Sequence, residues 1–124
     1  MDSFSLKKGY DDLMTKLTQG TKHDGDKIRM ELLDAQALEG LAAVLTFGAK
    51  KYAAHNWRGG ISNSRLLGAL MRHTFAILRG EYIDPESGLP HIDHVGCCWM
   101  FLSNNMKNRP DLNDLWNPNE NSSD

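Results

Sequence analysis

The stretch Ala35–Tyr52, AQALEGLAAVLTFGAKKY, decides the fold. Leu38, Leu41, Ala42, Leu45, Ala49 and Tyr52 fall at offsets 0, 3, 4, 7, 11 and 14 along it, one face of a 3.6-residue helix. Asp34 stands where an N-cap belongs, its carboxylate able to accept from the free amides of the first turn. Lys50 and Lys51 close the last turn, where cations meet the negative end of the helix dipole.

Outward from this segment the same period recurs. Phe4, Leu6, Tyr10, Leu13, Met14 and Leu17 predict a helix over 3–19, ended by Gly20. Residues 20–30 are polar, with Asp24-Gly25 as a turn signal. After the loop 53–62, Ser62 or Asn63 caps a helix carrying Leu66, Leu67, Leu70, Thr74, Ile77 and Leu78, and Gly80 marks its end. A second polar loop, EYIDPESGLP, fills 81–90. Ile92, Val95, Gly96, Trp99, Leu102 and Met106 then define the last strong helix. Residues 108–124 hold five Asn, three Asp and two Pro without a stripe, and read as a polar tail on which Leu115 and Trp116 can dock. The expectation is an all-α bundle of three to four helices, one domain over 1–107 with the tail over 108–124. Three helices of this length make a thin core for one chain, so completion by a homodimer is expected.

Composition agrees and excludes other classes. The chain has 124 residues, 16 Leu, 9 Ala and 6 Met, against 2 Val and 5 Ile. Helix formers thus outnumber strand formers, which disfavours a sandwich or barrel. There is no apolar run long enough to span a membrane, and Met1 to Leu17, which mixes Lys7, Lys8, Asp11 and Asp12 with apolar residues, does not read as a signal-peptide h-region. A net charge of −2 gives no electrostatic case for a nucleic-acid polymer. Cys97 and Cys98 are adjacent and outside any C-x-x-C pattern, so they read as reduced packing thiols of a cytoplasmic protein.

Polar residues that fall beside the apolar stripes are the candidates for chemistry. His73 sits between Leu70 and Ile77. His91 and His94, three apart, share one side of the last helix. Glu81, Asp84 and Glu86 crowd the loop before it, and Glu39 borders the first stripe. Carboxylates suit Mg²⁺ or Mn²⁺, and imidazole suits Zn, Fe, Ni or Mn. Lys50, Lys51, Arg72 and Arg79 can meet phosphate oxygens. Asn56 can donate to a base or phosphate, and Tyr52 or Trp57 can stack on a base. Each also has a plainer reading: His73 as a core residue, Asp84, Glu86 and Ser87 as helix-entry caps, Trp57 as a plug. Ser87 is not in a G-x-S-x-G elbow, and neither a P-loop nor a dinucleotide fingerprint is present.

Several blocks in order carry a family resemblance: K-x-D-G-D-K-x-R (22–29), V-L-T-F-G-A-K-K-Y (44–52), N-W-R-G-G (56–60), L-x-R-H (70–73) and R-G-E-x-x-D-P-E-S-G-L-P-H-x-x-H (79–94). Across about residues 22–106 the chain is similar to a phage-associated family, the dATP/dGTP diphosphohydrolase N-terminal-like domain. The resemblance implies release of pyrophosphate from a purine deoxynucleoside triphosphate in the host cytoplasm. It also implies kinship with all-α pyrophosphohydrolases of the MazG type, which hold Mg²⁺ on helix-borne E-x-x-E and E-x-x-D pairs. The sequence departs from that pattern: positions 36 and 42 beside Glu39 are Gln36 and Ala42, and Glu81-x-x-Asp84 falls in a loop.

On this reading Mg²⁺ is the expected cofactor, with Mn²⁺ or Zn²⁺ as alternatives. Glu81, Asp84 and His73 are the expected metal ligands. Glu39, Glu86, His91 and His94 form the expected catalytic set, with Glu39 also a candidate ligand. Lys27, Arg29, Lys50, Lys51, Tyr52, Asn56, Trp57 and Arg72 are expected to bind the nucleotide. Three other readings stand beside it: a nucleotide-sequestering protein without turnover, a Zn or Mn hydrolase built on His73, His91 and His94, and a structural helical module.

Overall fold

The computed structural model describes residues 3–120. Residues 1–2 of the expected domain and 121–124 of the expected tail lie outside the described residues. The architecture is all helical: α1 (Ser3–Thr18), α2 (Ala35–Lys51), α3 (Asn63–Leu78) and α4 (His91–Asn108), with short 3₁₀ turns at Met30–Leu32, Asn56–Gly59 and Pro110–Leu112. Among the described residues the one β feature is an isolated bridge between Ile83 and Pro90.

The chain divides into two compact units, Met1–Leu32 and Leu33–Asp124. The first is built on α1, whose apolar residues Phe4, Leu6, Tyr10, Leu13 and Leu17 are exposed. In the same unit Arg29 donates to Glu31 at 2.7 Å.

In the second unit α4 is central and packs against both α3 and α2. The caps explain the boundaries. Asp34 accepts from the Ala37 amide at 2.8 Å and starts α2. The end of α3 is a Schellman turn: Gly80, at φ 87°, donates to Ile77, and Glu81 donates to Ala76. Only a residue without Cβ takes that φ at little cost, so Gly80 both stops α3 and delivers Glu81 to a fixed place. The α2–α4 contact is close at Gly40, where a Cβ would lie 2.5 Å from the Asp93 carboxylate.

The core is small: Val44, Leu66, Ala76, Cys97, Cys98 and Leu102. Burial and the neighbouring Cys98 thiol push the Cys97 thiol up to about 12, which suits an inert packing residue. Two asparagines are also buried. Asn105 on α4 donates to the Ile61 carbonyl at 2.9 Å and to the Asn63 side-chain oxygen at 3.0 Å, locking α4 to the start of α3. Ser62 makes no side-chain cap there. The cap comes instead from the stretch expected to be a polar tail: Asp114 accepts from the Ser64 amide at 2.8 Å and from its hydroxyl. The turn Pro110–Leu112 packs on α4. Arg109 reaches the Arg58 carbonyl at 3.3 Å. Trp116 is exposed.

Candidate functional site

Three histidines meet where α3, α4 and the loop between them converge. His73 Nδ1 lies 2.8 Å from His91 Nδ1. The His73 and His94 rings stack, with centroids 4.5 Å apart and planes 8° from parallel. His91 is buried, while His73 and His94 are half-buried.

The loop 81–90 closes as a small hairpin that brings acids to these rings. Asp84 N–H donates to Leu89 at 2.8 Å, and His91 N–H donates to Tyr82 at 2.8 Å. Pro85 follows Asp84, whose side chain accepts from the Ser87 amide at 2.9 Å, and Gly88 supplies φ 72°. An Asp side chain closing its own turn, with Pro next and Gly at the left-handed position, is what D-P-E-S-G encodes locally.

The carboxylates orient the network. Glu81 accepts from His91 Nε2 at 2.8 Å. Asp84 Oδ2 accepts from the Ser87 hydroxyl at 2.7 Å. With its proton committed there, the Ser87 oxygen accepts from His94 Nε2 at 2.7 Å and from the Leu89 amide at 3.2 Å. A neutral His94 then keeps its lone pair on Nδ1. This is not a nucleophilic triad, because Asp84 and Ser87 both sit at the same ring nitrogen of His94.

Burial holds His94 below the usual histidine range, against the opposing pull of Asp84. His73 is lowered by burial first and then by the charges of His94 and His91. Burial pushes Asp84 up, but the two Ser87 hydrogen bonds and the nearby His94 and His73 outweigh it, and its carboxyl lies below the usual range.

These groups form one end of a cavity of about 740 Å³ between α2, α4 and the 53–61 loop. His73, His94, Asp84 and Glu86 line that end, and Lys51, Tyr52, His55, Asn56, Trp57 and Arg58 line the rest of the polar wall. Trp57 stacks on Phe101 at 4.5 Å, with the Arg58 guanidinium 4.4 Å from its ring centre. Lys51 is paired with Glu86 and lies 5.3 Å from the Tyr52 ring centre. His55 holds a left-handed φ of 62° and accepts from Arg58 Nε at 3.2 Å.

Of the residues expected from sequence, Lys51, Tyr52, Asn56, Trp57, His73, Asp84, Glu86 and His94 line this cavity. Glu81 and His91 stand directly behind His73. Glu39, Lys50 and Arg72 are exposed and do not line it. Lys27 and Arg29 belong to the first unit. Sequence reasoning missed Ser87, His55 and Arg58 as site residues. For Arg58 the signal was present, a cation next to Trp57 in N-W-R-G-G.

The chain matches the family described as dATP/dGTP diphosphohydrolase, N-terminal, over residues 18–115. It belongs to that family. It is also 36% identical, over 95 residues, to the dATP/dGTP diphosphohydrolase of Salmonella phage PMBT28. That match covers 77% of this chain and 32% of the relative, so the chain spans about a third of the length of the curated relative it matches. No solved structure matches. The described residues include no helix long and apolar enough to cross a membrane.

Proposed function

We propose that this chain binds a purine deoxynucleoside triphosphate in the α2–α4 cavity and takes part in its hydrolysis to the monophosphate and pyrophosphate. The observation that carries the reading is one cavity joining an aromatic and cationic wall to a histidine and carboxylate end. Its volume of about 740 Å³ is in the usual range for a small-molecule site. Membership of a family described as dATP/dGTP diphosphohydrolase, N-terminal, supports a purine deoxynucleotide as the substrate class.

The residues divide by chemistry. Lys51 and Arg58 are the cations on the cavity wall, and Lys51 exchanges Glu86 for phosphate oxygens when nucleotide enters. Asn56 offers both a donor and an acceptor to a base edge or sugar. Tyr52 presents an exposed ring for stacking, whereas Trp57, already stacked on Phe101, shapes the wall. His94 is the general base: its depressed pKa keeps it neutral near pH 7, and Nδ1 carries the free lone pair. A water that loses its proton to His94 attacks the α-phosphorus, and the bond to the bridging oxygen breaks as pyrophosphate leaves.

The Mg²⁺ implied by the family resemblance does not fit the carboxylates as they stand. That cation takes an all-oxygen shell. Glu81 is turned to His91, Glu86 to Lys51, and Glu39 is off the cavity, so of the four carboxylates only Asp84, through the oxygen that Ser87 does not bond, is placed to meet a cation, and it stands beside imidazoles. No step above runs through Mg²⁺.

A nucleotide substrate suits a cytoplasmic protein, and a second copy of the chain covers apolar side chains such as Phe75, Leu78, Ile92 and Trp99, which one chain leaves exposed. Sedimentation at micromolar concentration tests the dimer, and a monomer there rejects it.

A second reading is nucleotide sequestration without turnover. One observation favours it: the match covers a third of the relative, so the bond-breaking groups of that protein can lie in the rest of its length. Incubation of the purified chain with each dNTP and NTP, with Mg²⁺, Mn²⁺ or Zn²⁺, separates the two. Pyrophosphate plus monophosphate supports hydrolysis. Tight retention of unchanged nucleotide supports sequestration. Absence of binding to every nucleotide rejects both.

A further inference from the structure

Among the described residues one group of three metal-ligating side chains converges: His73, Asp84 and His91, each offering a donor atom within 4.8 Å of the others. They come from α3, from the hairpin and from the first residue of α4. We propose that this group is a site for a borderline-soft first-row divalent cation of the Zn²⁺ type, and not for Mg²⁺.

Three features of the chain support the assignment. The Nδ1 atoms of His73 and His91 face each other at 2.8 Å. Glu81 accepts a hydrogen bond from His91 Nε2–H, which leaves the Nδ1 lone pair of a neutral ring directed at that meeting point. A carboxylate gripping the far nitrogen of an imidazole is the usual outer contact of a metal-bound histidine. Asp84 is likewise held from behind: its hydrogen bonds from Ser87 fall on Oδ2, and Oδ1 accepts neither of them.

The donor set decides the class of cation. Two nitrogens and one carboxylate oxygen match Zn²⁺ and its neighbours, while Mg²⁺ prefers oxygen and keeps its waters. Three protein ligands leave a further position open for water or a ligand. His73 and Asp84 line the cavity, so that position borders it. His91 is only 4% exposed, so the site is shielded on its far side. The competing explanation is a hydrogen bond between two imidazoles, with no cation. The proposal does not depend on the nucleotide reading, because metal binding is measured without nucleotide.

The test uses the full chain stripped with a chelator and titrated by calorimetry with Zn²⁺, Co²⁺ and Mg²⁺ in turn. One Zn²⁺ per chain is expected, bound more than about 100-fold tighter than Mg²⁺, the preference that a two-imidazole set imposes. Co²⁺ should show ligand-field absorption in the visible without a thiolate charge-transfer band, which separates this site from Cys97 and Cys98. His73→Asn and Asp84→Asn should abolish the tight phase. His91→Gln removes a buried group and can unfold the chain, so Glu81→Gln is the decisive variant. It should weaken Zn²⁺ by about 10–100-fold with an unchanged helical circular-dichroism spectrum. Equal affinity for Zn²⁺ and Mg²⁺ would overturn the proposal. So would Zn²⁺ binding that Glu81→Gln and His73→Asn leave unmoved.

Discussion

Asn105→Ala tests whether α4 is locked to the start of α3 as described. The Asn105 amide lies in the buried interior, 4% exposed, and serves two acceptors, the Ile61 carbonyl at 2.9 Å and the Asn63 side-chain oxygen at 3.0 Å. No buried side-chain polar atom among the described residues lacks a partner, so the wild-type network is complete. Truncation strands both acceptors where water does not reach easily. An unmade buried hydrogen bond costs about 1–3 kcal/mol, so two give about 2–4 kcal/mol after partial relaxation. With a urea slope of about 2 kcal/mol/M, the middle of the range for a small domain, the midpoint should fall by roughly 1–2 M at constant slope. Far-UV circular dichroism across a urea series reads this directly. Asn63→Ala should couple with it, so that the double variant loses less than the two singles combined. A midpoint shift under about 0.3 M, or strict additivity with Asn63→Ala, would refute the lock; both follow from the same costs.

Three further outcomes follow from other parts of the site. His73 and His94 are held below their ordinary pKa in the folded chain, so the unfolded chain binds more protons as pH falls below about 6.5. Metal-free protein should therefore lose stability between pH 7 and 5, and the loss should shrink in His94→Gln; urea midpoints at three pH values check this, and a flat profile contradicts it. Gly80→Ala puts a Cβ at φ 87° and should cost about 1–2 kcal/mol. Because Gly80 sets Glu81, Zn²⁺ affinity measured by calorimetry should fall with it. Trp57 is half-buried, so Trp57→Ala removes the stack on Phe101 at a cost of about 1–2 kcal/mol while weakening nucleotide binding; fluorescence-independent thermal melts and calorimetry read the two effects separately.

The helical architecture was legible because its signals are local. The Asp34 cap and the Gly80 stop depend on neighbours within a few residues, and the structure places them where the pattern predicts. The α2 period is helical, but the face it buries is shifted from the expected stripe: Val44 is the buried residue, while Leu38, Ala42 and Tyr52 are exposed. The histidine pair His91 and His94 was legible for the same reason, a three-residue spacing on one helix side. What the spacing left open is how each helix turns toward its partners. Glu39 and Lys50 border the α2 stripe, and either border was compatible with a site. The close approach of α4 at Gly40 settles the rotation, putting Lys51 on the cavity wall and leaving Lys50 exposed. Ser87 read only as a local cap, because its contact with His94 exists only once the hairpin has folded back on α4. Asp114 was less legible still, since it caps α3 from 50 residues away.

The central claim, that the α2–α4 cavity receives a purine deoxynucleotide, is tested most directly by titrating dGTP or dATP into isotope-labelled chain and following amide and indole resonances. The account predicts saturable shifts centred on Lys51, Asn56, Trp57, Arg58 and His94, with little change at Glu39 or Lys50. Shifts confined to other surfaces, or none at millimolar nucleotide, would contradict it.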